Sequence, residues 1–131
     1  MTTPLPEFKM PLLWLALGWG LIGLVAFLSL VPAPPMDLDF DSSDKVGHLL
    51  AYGALMVWFG QIYMTFRRQA VLAAGFCALG VLLEFLQGWG GARMFDPADM
   101  LANTAGVALG WWLTRGWFAG ILLRLDQALA R

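Results

Sequence analysis

The sequence is short of charge. Asp, Glu, Lys and Arg make up 13% of its 131 residues, where a soluble domain carries roughly 25%, and 60% of the chain is hydrophobic. That balance excludes an ordinary water-exposed globular surface and points to lipid. The formal net charge of −1 leaves no basic patch to neutralise phosphates, so no nucleic-acid partner is expected. A single cysteine, Cys77, excludes an internal disulfide and reads as a small buried apolar residue. There is no HExxH pair, no nucleophile elbow and no P-loop, and Ser29, Ser42, Ser43, Thr65, Thr104 and Thr114 form no recognisable triad. Glycines are dispersed as packing residues. Internal repeats and low-complexity segments are absent, and one domain is expected.

What the chain does have is four long apolar stretches, over about 11–31, 46–66, 70–87 and 98–114. The first runs 21 residues without a charge. At 1.5 Å per residue that crosses a hydrocarbon core of about 30 Å. It exceeds the roughly 7–15 residues of a signal-peptide core and no A-x-A site follows it, so it reads as a retained helix, stopped by Pro32, Pro34 and Pro35. The fourth stretch either continues through Arg115 into 116–125 or hands over to an interfacial helix, with Trp111, Trp112 and Trp117 at headgroup level. The expected fold is an all-α polytopic membrane protein, four transmembrane helices packed as a small bundle.

Charge asymmetry orients it. With Arg67 and Arg68 in the short link between spans two and three placed inside, the inner side holds Lys9, Arg67, Arg68, Arg115, Arg124 and Arg131, and the outer side holds Lys45 and Arg93. The positive-inside rule then puts both termini in the cytoplasm. Outside lie Asp37, Asp39, Asp41, Asp44, Asp96 and Asp99.

The polar residues of the spans gather at that outer face. Lys45, His48 and Tyr52 share one stripe of the second helix, Glu84 and Gln87 end a stripe of the third that begins with Cys77 and Gly80, and Arg93, Asp99 and Asn103 surround the start of the fourth. Ionisable groups in hydrocarbon are costly, so their convergence marks a functional-site candidate. His48 suits a general acid/base, or a hydrogen-bonded contact between helices. Glu84 suits catalysis or binding, or an ion pair with Arg93, Lys45 or His48. Asp96-Pro97-Ala98-Asp99 reads as a helix start, with Asp96 as the cap, and Ser43 could cap the second helix. Asn103 serves either as a ligand or as interhelical polar glue. Gly106 and Gly110 line a face on which another backbone can approach closely. Gln61, near the inner end, reads as a helix-contact residue. Asp37-Leu38-Asp39-Phe40-Asp41 imitates an EF-hand opening but fails at its sixth and twelfth positions, Ser42 and His48. No metal set and no cofactor is recognisable.

These residues carry a resemblance. Asp44-Lys45-Val46-Gly47-His48 followed by Tyr52 resembles the D-K-x-x-H-x-x-x-Y opening of VanZ-like membrane proteins. Glu84-x-x-Gln87, then Arg93, then Asp96-x-x-Asp99-x-x-x-Asn103-x-x-Gly106 and Gly110 resembles their second block. The similarity covers about 44–113. It implies a multi-pass protein of the bacterial cytoplasmic (inner) membrane, in a family named for a member associated with low-level teicoplanin resistance. The expected function is to act on or bind an amphiphilic cell-envelope substrate, a lipid-linked precursor or a glycopeptide, from the outer side. His48 and Glu84 are the candidate catalytic residues, and Lys45, Tyr52, Gln87, Arg93, Asp99 and Asn103 the candidate binding residues. The alternative is a non-catalytic protein that binds lipid or a partner and whose polar residues specify helix packing.

Overall fold

A computed structural model of the chain describes residues 7–31, 40–90 and 95–131. They form five helices: α1 (Pro11–Leu30), α2 (Phe40–Ile62), α3 (Phe66–Gly90), α4 (Pro97–Arg115) and α5 (Ile121–Leu129). Two of them, α1 and α3, are long and apolar enough to cross a membrane. α2 and α4 carry His48, Asp99 and Asn103, and these two helices make the most extensive contact in the fold.

Local chemistry sets the ends. Pro11 opens α1 and Pro97 opens α4, where a missing N–H costs nothing. Asp96 caps α4, its carboxylate accepting the Ala98 amide at 2.9 Å. α2 begins at Phe40, so Ser43 lies inside that helix and is not its cap. α3 begins at Phe66, which places Arg67 and Arg68 in its first turn and leaves 63–65 as the link. α4 stops at Arg115 with Gly116 as its C-cap, and α5 follows as a separate short helix after Gly120, whose φ of 74° is the positive-φ backbone that glycine tolerates. The acidic EF-hand-like stretch, up to Asp39, lies outside the described residues.

The four long helices alternate in direction, and α2 runs parallel to α4. Their separation is set by glycine. A Cβ on Gly110 would lie 2.5 Å from the Gly53 carbonyl oxygen, and one on Gly106 would strike the Leu49 carbonyl. Only residues without a side chain allow two backbones so close. α3 crosses both, with Gly80 admitting Asn103 and Tyr52. α1 packs more loosely on the outside, where Gly18 receives Trp58 and Phe59. Tyr52, Leu55, Met56, Phe59, Phe76 and Val107 fill the centre.

The end where α2 and α4 finish is held by buried amides and one acid. Gln69 donates to the Gly60 carbonyl at 2.8 Å and accepts from the Trp111 indole and Arg115, both at 3.1 Å. Gln61 accepts the Leu122 amide at 2.9 Å, in keeping with a helix-contact role. Asp126 of α5 is fully buried. It accepts from the Lys9 amide at 2.6 Å, the Met10 amide at 2.9 Å and the Trp14 indole at 2.7 Å. Its carboxylate thus satisfies amide groups at the start of α1, where the helix dipole favours negative charge. Burial opposes that charge, but the Lys9 amide, the Trp14 indole, the Met10 amide and the Lys9 charge outweigh it and hold the carboxyl below its ordinary value.

A depressed carboxyl contributes stability that is complete above its ordinary value of 3.8 and is lost as pH falls through the lower folded value. Asp126→Asn should therefore melt below the wild type at neutral pH, with the gap closing as pH drops below about 4. Melting curves in detergent across that range measure it.

Candidate functional site

The opposite end, where α2 and α4 begin and α1 and α3 finish, holds the polar cluster. Its centre is His48, buried about two turns inside α2. The close approach of α2 and α4 brings its two ring nitrogens against α4. Nδ1 lies 2.9 Å from Asn103 Oδ1, and Nε2 lies 3.6 Å from Asp99 Oδ2. An amide oxygen only accepts, so Nδ1 is the donor of that bond. Nε2 is thereby the nitrogen presented to a carboxylate, the arrangement in which an imidazole is oriented for proton exchange. Asp99 and Asn103 are both buried, four residues apart and hence on one face of α4.

Glu84 sits beside this pair, 1% exposed. Its Oε1 accepts the Asp96 amide at 2.7 Å, so α3 ties down the first residue of α4. The Asp96 side chain caps the helix, and Lys45 Nζ lies 3.5 Å from its other oxygen. The Ala98 amide holds the Asp96 carboxyl below its ordinary value; burial works against this, and the Lys45 charge adds to it. Glu84, His48, Asp96 and Asp99 lie within electrostatic reach of one another.

Gln87 and Tyr52 close the cluster from below and behind. Gln87 donates to the Ser29 carbonyl of α1 at 2.5 Å. Tyr52 is 1% exposed and stands with Asn103 opposite Gly80. Arg93, a binding candidate and one of three possible partners for Glu84, lies outside the described residues. Of the remaining sequence candidates, Lys45, His48, Tyr52, Glu84, Gln87, Asp99 and Asn103 are all brought to this one end. Among the described residues, no three of His, Cys, Asp and Glu come together as a metal-binding group.

A family model described as VanZ/LLP1 matches residues 10–122. The chain belongs to the VanZ/LLP1 family. The match takes in all four long helices and the whole polar cluster, so the VanZ-like blocks read in α2, α3 and α4 are parts of one continuous family region that also includes α1. No curated protein and no solved structure matches the chain. Family membership and two helices of membrane-crossing length and composition together indicate a membrane protein.

Two contributors escaped the sequence reading. Ser29, near the end of α1, takes part through its backbone carbonyl, which no residue type advertises. Asp126 is an acid four residues after Leu122, on the inward stripe of an amphipathic helix, which also marks it as a partner for something buried.

The Glu84 bond generates a prediction. Glu84→Ala removes the acceptor of the partly buried Asp96 amide, and losing such a bond costs about 1 kcal/mol. Glu84→Gln keeps an acceptor oxygen and should lose less than half as much. Unfolding of both variants in mixed micelles compares them.

Proposed function

We propose that the chain is a four-span protein of the bacterial cytoplasmic membrane, with both termini inside and the polar cluster at the outer face, which binds or acts on an amphiphilic cell-envelope substrate such as a lipid-linked precursor or a glycopeptide. Several features support the topology. Lys9, Arg67, Arg68, Arg115 and Arg124 belong to the end that holds Asp126, away from the cluster, as the positive-inside rule requires of the cytoplasmic side. α2 and α4 direct His48, Asp99 and Asn103 at one another rather than outward, which is how spanning helices accommodate such groups. α5, with Trp117, Ile121, Leu125 and Leu129 exposed, suits the inner interface.

The observation that carries the functional reading is His48 held between Asp99 and Asn103. A buried imidazole fixed on one nitrogen and facing a carboxylate with the other is equipped to accept and return a proton. In this reading His48 and Glu84 are the proton-transfer groups and Lys45, Tyr52, Gln87, Arg93, Asp99 and Asn103 shape and bind the polar part of the substrate. A second reading has its own support. Glu84 and Gln87 both spend hydrogen bonds on the backbones of other helices, as residues that specify packing do.

Expression of His48→Gln and Asp99→Asn in cells lacking the chromosomal copy separates the two. The functional reading expects normal membrane abundance with loss of the teicoplanin phenotype and an altered pool of lipid-linked precursors. Parallel loss of abundance and phenotype would assign these residues to packing alone.

A further inference from the structure

A cavity of about 210 Å³ lies between the outer halves of α1 and α2. Val25, Leu28 and Ser29 form one wall; Gly47, His48 and Ala51 form the other, and Tyr52 closes its deep side. It is the back door of the polar cluster, because His48 belongs to both. Its position follows from the packing. The α2–α4 seam is shut by Gly53, Gly106 and Gly110, and α3 is tied to α4 through Glu84. α1 packs loosely on α2 and is tied to α3 at this level by the Gln87–Ser29 bond, so a gap persists between α1 and α2. The residues at its mouth face outward: Leu28 is 53% exposed, and a Cβ on Gly47 would meet nothing within 4 Å.

We infer that this groove is a lateral portal that takes one hydrocarbon chain of an outer-leaflet lipid and brings the lipid's polar end to His48. The inference rests on the membrane topology and outer polar site proposed above, and adds where the apolar part of the substrate goes. The lining argues for the occupant. Its walls are mostly aliphatic or small, which suits a narrow chain and excludes a polar solute. Its two polar contributors, His48 and Ser29, sit where such a chain must end in a group that can hydrogen-bond. Leu24, Phe27 and Leu28 on α1 are exposed and open onto the bilayer when α1 spans it, so the source is the lipid phase.

The test uses the full chain in liposomes containing phosphatidylcholine with a photoactivatable acyl chain, with the labelled peptides mapped by mass spectrometry. Labelling should concentrate severalfold at Val25, Leu28 and Ala51 over Leu82 and Phe85, which are exposed on α3. Gly47→Leu, which the open space there accommodates, should fill the groove and remove that excess, and Ala51→Leu should do the same. Even labelling over all exposed apolar positions, or an excess untouched by Gly47→Leu, overturns the portal. Neither result bears on the His48→Gln and Asp99→Asn phenotypes, which test the polar site separately.

Discussion

The close approach of α2 and α4 is the constraint on which the rest of the molecule depends. Inside a bilayer apolar surface has no reason to seek apolar surface, and helix association rests on packing and interhelical hydrogen bonds. Gly106 and Gly110 bring α4 against the backbone of α2 at Leu49 and Gly53. That contact fixes both rotation and height. Toward the start of both helices, His48 meets Asn103 and Asp99; toward their ends, Gly60 meets Thr114. A bulkier residue in the seam would move the imidazole away from its partners while leaving four helices in place, so the seam positions the site without taking part in its chemistry.

Around this pair, α1, α3 and α5 are attached by polar groups that reach across to backbones. Asp126 holds the start of α1, Gln61 the start of α5, Gln69 the end of α2, Glu84 the start of α4 and Gln87 the end of α1. Most of these supply a partner to a helix terminus, where backbone groups lack one. The buried polar residues thus fall into two kinds. Those at the Asp126 end are consumed by tying helices together. At the His48 end Glu84 and Gln87 do the same, but His48, Asp99 and Asn103 face one another across α2 and α4, and His48 also borders a cavity.

Much of this was legible in the sequence, for physical reasons. Lys45, His48 and Tyr52 recur at helical spacing, as do Glu84 and Gln87, and apolar runs of membrane-crossing length fixed which ends they share. Asp96 and Pro97 announced the start of α4 by cap chemistry. The start of α2 was misplaced because Ser43 offers the same chemistry inside a helix that begins at Phe40. Arg67 and Arg68 were assigned to a link because charge marks loops, whereas α3 takes them into its first turn. The Asp126 clasp was hidden because it joins residues more than a hundred positions apart, and no local pattern encodes the partner of a lone acid. Likewise the sequence offers Glu84 a catalytic or binding role, or an ion pair with Arg93, Lys45 or His48. The partner Glu84 bonds is a backbone amide, which every sequence position offers and none advertises.

The polar cluster around His48 depends on a glycine seam that never touches it. Because the chain has one histidine, ¹⁵N-histidine labelling of the protein in bilayers reports on His48 alone. The wild type should show a proton on Nδ1 held in a hydrogen bond and shielded from exchange with water. Gly106→Ala should retain its helical content yet show a water-exchanging imidazole without that bond. A Gly106→Ala spectrum identical to the wild type would contradict the claim that the α2–α4 approach builds the site.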